Sequence, residues 1–97
     1  MAEQRTYYTL YLVDDCPFCR EAASLVAKKS DEYYLRYFDW EDKLLTEAKE
    51  RYNHRTVPII SKFTVNGDEE VEEFIGGYTE LVEHFEREGQ CQEESEE

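Results

Sequence analysis

Basic residues are scarce in this chain: eleven Lys and Arg stand against twenty-four Asp and Glu, for a formal charge of −13. A surface of that sign repels nucleic acid and anionic membranes, so neither is an expected partner, and it favours solubility. Long apolar runs are also missing. No stretch approaches bilayer-spanning length, and Met1 to Tyr7 lacks the positively charged start and apolar stretch of a secretory leader, so a cytoplasmic location is expected. Cysteine is limited to three residues, an odd number with two in one Cys-x-x-Cys, which does not resemble a secreted disulfide framework. At 97 residues the chain holds one modest core, which excludes a second domain, and it contains no internal repeat.

What is present suffices for a globule. Forty per cent apolar residues with 14% aromatics support a core, although 36% charged residues leave it lean. Tyr7 to Val13 is β-branched, aromatic and apolar on both faces, as in a central strand covered by helices. From Pro17 to about Lys29, the positions Ala22, Leu25, Val26 and Lys29 mark one buried helical face, and the Lys28-Lys29 end complements the macrodipole. Tyr33 to Phe38 reads as a second strand. Asp39 is the expected cap of a second helix running from Trp40 or Glu41 to Tyr52, with Leu44, Leu45 and Ala48 as its buried stripe. Val57 to Val65 reads as a third strand with Pro58 near its start, and Asn66-Gly67 as a hairpin returning a fourth strand through Val71 and Ile75. A last helix from Thr79 to Glu88 buries Leu81, Val82 and Phe85, and Gly89 is expected to stop it. Residues 91–97 are acidic and apolar-poor, so the domain is expected over residues 1–90 and a disordered tail beyond. The order is β-α-β-α-β-β-α, an α/β fold with a four-stranded mixed sheet covered by helices.

Chemistry concentrates where the first strand meets the first helix, at Cys16-Pro17-Phe18-Cys19. A thiol just outside the first helical turn faces unpaired backbone N–H groups and the positive end of the macrodipole, both of which favour its thiolate. Pro17 suits the first helical position, where its ring presets φ and its missing N–H has no partner to lose. Zinc needs four ligands, and His54 and His84 are isolated, so redox chemistry suits the pair better. His54 reads as a solvated loop residue, His84 as an exposed one, and Cys91 as a free surface thiol. Trp40 and the eight tyrosines read as packing and strand residues.

Three motifs in order resemble the dithiol glutaredoxins, small proteins of the thioredoxin fold. Cys16-Pro17-Phe18-Cys19 is similar to their Cys-Pro-Tyr-Cys, Thr56-Val57-Pro58 to their cis-proline loop, and Gly76-Gly77-Tyr78-Thr79-Glu80-Leu81 to the Gly-Gly segment opening their last helix. The resemblance covers about residues 7–90. It implies that Cys16 is the nucleophile, Cys19 the resolving thiol and glutathione the cosubstrate. Glutathione is then expected to meet Phe18, Arg20, Arg55, Thr56, Val57, Pro58, Gly77, Tyr78 and Thr79. Physically, a cis Pro58 turns the backbone of Val57 outward to pair with an extended ligand, and the N–H groups of Tyr78 and Thr79 at a helix start suit a γ-glutamyl carboxylate. Arg55, with Arg20, is matched to the glycyl carboxylate.

The resemblance also implies a monomer that acts on disulfide-containing or glutathionylated proteins, ribonucleotide reductase among them, with no metal. Many glutaredoxins carry lysine where Val13 stands, and Asp14 and Asp15 follow it, so like charge opposes a thiolate at Cys16. A thioredoxin-like electron donor fed by a flavoprotein reductase is the alternative enzyme. A non-catalytic metal or iron–sulfur module is the alternative from another class, although cluster-holding glutaredoxins usually have glycine where Pro17 stands.

Overall fold

The computed structural model describes residues 4–96. Seven elements follow in order: β1 Gln4–Val13, α1 Pro17–Lys29, β2 Tyr33–Phe38, α2 Lys43–Arg51, β3 Ile59–Asn66, β4 Glu69–Gly76 and α3 Tyr78–Glu96. The sheet order is β2-β1-β3-β4. The βαβ opening makes β1 and β2 parallel, with Leu10 opposite Leu35, while β3 runs antiparallel to β1, with Leu10 opposite Ile60. This is the mixed four-stranded sheet with three helices of a thioredoxin fold.

Alternation along β1 sends its side chains to two layers. Tyr8 packs its ring on His84 and Phe85 of α3, so Tyr8, Leu10 and Leu12 share the face covered by that helix. Tyr11 lies opposite Ile59 and stacks on Phe38, on the face where α2 places Leu45 and Ala48. The core is as lean as the composition implies, and Leu10, Leu12, Val26, Leu45, Ile60 and Leu81 are fully buried in it.

The β3–β4 turn differs by one residue from the sequence reading. Asn66 pairs with Glu69, so the two central residues are Gly67 and Asp68, with Gly67 at φ 67°. Glycine at the first central position is the pattern of a II′ turn, which suits the twist of the flanking strands.

Four further expectations are corrected. The cap of α2 is Asp42, whose carboxylate accepts the Leu44 N–H at 2.9 Å; the backbone carbonyl of Asp39 instead accepts the Asp42 N–H at 3.0 Å and closes a turn. Trp40 is thereby left outside the helix. Leu44 is 52% exposed, so the buried stripe of α2 is held by Leu45 and Ala48 without it. His84 is buried at 6% exposure, with its Nε2 3.0 Å from the Tyr8 hydroxyl, a partner 76 residues away that helical spacing alone does not reveal. Helix α3 runs past Gly89 through Glu96, so that glycine does not stop it. A single glycine costs a helix only about 1 kcal/mol relative to Ala, and the Glu and Gln that follow are good helix formers. The reading of Cys91 as a surface thiol falls outside the described side chains.

Candidate active site

The site forms where β1, α1, the α2–β3 loop and the start of α3 converge. Cys16 is the N-cap of α1, with extended backbone at φ −133° and ψ 107°, and Pro17 occupies the first helical position. Its Sγ accepts the Cys19 N–H at 3.1 Å, and its carbonyl accepts the Arg20 N–H at 3.2 Å. Local sequence thus places one sulfur on the donor end of the helix. Both thiols are buried, Cys19, one turn in, completely and Cys16 at 7% exposure, but Cys16 lines a groove and Cys19 does not. Burial pushes the Cys19 thiol up from 9.0 to about 12, and its hydrogen bond to Cys16 acts in the same direction. Because the burial favours the neutral form, Cys19 rests as a thiol.

The groove beside Cys16 has a volume of about 550 Å³. Phe18, Arg55, Thr56, Val57, Pro58, Gly77, Tyr78 and Thr79 line it together with Cys16, so nearly the whole residue set expected from the sequence is brought to one place. Arg20 is exposed on α1 and does not line it. The Val57–Pro58 peptide is cis, and Pro58 is buried behind the groove.

Two glycines let the chain pass close to the loop. Gly76 has φ 121°, a conformation that L side chains rarely adopt, and a Cβ there would meet Glu80 Cγ at 3.0 Å. A Cβ on Gly77 would lie 3.3 Å from Glu80 Oε1 and 3.5 Å from His54 Nε2.

Three groove residues were not expected from the sequence: Trp40, His54 and Glu80. Glu80 accepts the Gly77 N–H at 2.8 Å, half of a capping box, so a carboxylate of the chain itself stands at the helix start expected to hold a ligand anion. A Glu three residues after the capping glycine was the available signal. His54 is aimed by the end of α2. Asn53 takes φ 53°, its N–H reaches Glu50 O at 3.2 Å, and the His54 N–H reaches Lys49 O at 2.9 Å, the paired bonds of a Schellman motif. Asn directly after the helical pattern was the signal there. The His54 ring lies edge-on to Phe74, with Nε2 3.3 Å from Thr56 Oγ1.

Trp40 gave no local signal. It is 52% exposed in the 39–42 turn, and its indole N–H donates to Asp15 Oδ1 at 3.0 Å. One of the two acids that precede Cys16 therefore holds a wall of the groove. Among the described residues, no cluster of three or more His, Cys, Asp or Glu side chains is arranged to hold a metal ion, and no helix is long and apolar enough to cross a membrane.

Neither a family model nor a curated relative matches this sequence. Solved structures do match the fold. Glutaredoxin 1 from Francisella tularensis, determined in complex with cacodylate, superimposes with a TM-score of 0.61 at 20% identity, over 86% of this chain and 95% of that one. The dithiolic glutaredoxin 2-C-Grx1 of Trypanosoma brucei brucei, a solution structure, superimposes with a TM-score of 0.62 at 26% identity, over 88% of this chain and 81% of that one. With two cysteines meeting at the start of α1 inside this fold, the chain is a structural neighbour of the dithiol glutaredoxins.

Proposed function

We propose that this protein is a glutathione-dependent thiol–disulfide oxidoreductase acting on protein disulfides and glutathione mixed disulfides. The observation that carries the reading is the unequal placement of the two thiols: Cys16 accepts a helix N–H and lines the groove, whereas Cys19 is fully buried and does not line it. In the first step the Cys16 thiolate attacks a substrate sulfur, the S–S bond breaks, and the departing sulfur leaves as a thiolate that takes up a proton. Cys19 then loses its proton and attacks Cys16 Sγ, releasing the second substrate thiol and closing a Cys16–Cys19 disulfide. Two electrons have passed to the substrate. Two molecules of glutathione restore the dithiol and leave as glutathione disulfide.

Phe18, Val57, Tyr78, Thr79 and Arg55 surround the ligand in this reading, with the exposed Val57 backbone pairing to it as an added strand. The protein is a cytoplasmic monomer. A thioredoxin-like donor recharged by a flavoprotein reductase is favoured by one observation, the burial of Val13, which leaves no cation where many glutaredoxins carry lysine.

The test is turnover of a glutathionylated peptide and of a protein disulfide, with glutathione or a flavoprotein reductase as the electron source. Glutathione-supported turnover is expected. Cys16→Ser should lose both reactions, whereas Cys19→Ser should keep the first and lose the second. Equal activity in the two variants would remove the assignment of roles, and turnover with the reductase alone would select the other donor.

A further inference from the structure

The groove has more aromatic wall than its small anionic cosubstrate requires. Phe18 and Tyr78 form one stack, with ring centroids 5.9 Å apart and planes 30° from each other, and Phe18 is 61% exposed. Trp40 supplies a second wall from a different element. Its ring is fixed from two sides: the indole N–H is tied to Asp15, and the Lys49 ammonium lies 5.6 Å from the ring centroid. A large aromatic side chain left half exposed, yet held in place by two polar partners, is an anchor prepared before its ligand arrives. Its ordering cost is already met, so contact with it is retained as affinity.

Whatever covers Trp40 must also bring a sulfur to Cys16, since both line the same groove. Charge narrows the occupant further. The formal charge is −13, and Asp14 and Asp15 immediately precede Cys16, so an acidic segment is repelled. We infer that the groove selects a disulfide-bonded cysteine in an extended, neutral or basic polypeptide segment with an aromatic residue beside that cysteine, and that Trp40 is the specificity-determining contact. This rests on the oxidoreductase reading above and adds the substrate class to it. Cys16 bonds to the segment's cysteine sulfur, the original partner sulfur leaves as a thiolate and is protonated, and the neighbouring aromatic ring settles on Trp40 while the mixed disulfide lasts. Cys19 then displaces the segment as its free thiol.

Two short peptides of equal charge test this, each a symmetric disulfide dimer of a segment holding one lysine and one cysteine, with Phe or Ala beside the cysteine. In the wild-type protein kcat/KM should favour the Phe peptide about two- to tenfold, the range for one aromatic contact. The ratio should fall to about one in Trp40→Ala and persist in Trp40→Phe. Exchanging the lysine for glutamate should slow both peptides. A binding readout supports the kinetics should Trp40→Ala fold poorly. Trp40 is the chain's single tryptophan, so its emission reports on this wall alone. In a Cys19→Ser/Cys91→Ser protein, trapping the Phe peptide on Cys16 should move the emission to shorter wavelength, and trapping the Ala peptide should not. Equal kcat/KM for the two peptides, a ratio unchanged in Trp40→Ala, or identical emission with both peptides would overturn the inference and leave the oxidoreductase reading standing. Failure of the wild-type protein to turn over either peptide or any other disulfide would overturn both.

Discussion

Helices α1 and α2 both begin on a side chain that accepts a backbone N–H, and the two caps are chemically opposite. Asp42 caps α2 with a carboxylate at 2.9 Å from the Leu44 N–H, whereas Cys16 caps α1 with sulfur at 3.1 Å from the Cys19 N–H. A carboxylate is among the best caps available, and a neutral thiol is a weak acceptor. Asp42 therefore serves the fold. At Cys16 the same geometry sets a sulfur against the groove, where a weak acceptor adds little to the fold. One helix start stabilises the protein and the other presents a sulfur to the groove.

The largest effect that would break this contrast is at Cys16. Cys16→Ser should reduce disulfide turnover to background while leaving stability within about 1 kcal/mol of wild type or slightly above it, because serine is a preferred cap. Urea midpoints alongside the turnover assay measure both. A loss of ~2 kcal/mol or more would mean that the thiol is a structural cap after all.

The next effect concerns the thiol behind it. Folding raises the Cys19 pKa from 9.0 to about 12, so the folded state holds the proton more tightly than the unfolded one. That contribution is fully present below pH 9 and is lost as pH rises towards 12. Thermal melts should fall over this window, and Cys19→Ser should flatten the decline. Asp42→Ala comes third, costing about 1 kcal/mol in a urea titration while disulfide turnover persists.

The smallest effect lies at the far end of β1. There the Arg5 guanidinium and the Tyr34 hydroxyl hydrogen-bond Glu32 and lower its pKa from 4.5 to about 2. Stability from this pair is present above pH 4.5 and lost as pH falls through 2, and Arg5→Ala should remove that dependence. The groups are exposed, so salt should weaken the effect. A thermal melt between pH 5 and pH 2, with and without added salt, checks it.

Local spacing explains which parts of this molecule were legible before its structure. Helix α1 and strand β2 begin and end where the patterns of Pro17–Lys29 and Tyr33–Phe38 place them, because each is bounded by strong local signals. The second helix was misread at its start because Asp39 and Asp42 both qualify as caps, and only the folded chain shows which carboxylate reaches an open N–H. His84 looked exposed because its partner, Tyr8, is at the other end of the sequence. Trp40 looked like packing material for a related reason, since its tie to Asp15 spans 25 residues.

The sequence by itself determined the order of elements, the sulfur pair at a helix entrance and the glycine-permissive approach, while the cis-proline loop was read from its resemblance to the glutaredoxin motif. These depend on covalent geometry and short-range hydrogen bonding. Only the tertiary structure decided that Trp40, His54 and Glu80 join Cys16 in one groove, that Arg20 stays outside it, and that Cys19 is the more deeply buried thiol, with a raised pKa. Those outcomes depend on desolvation and on contacts between distant segments, and neither exists until the sheet and its helices have assembled.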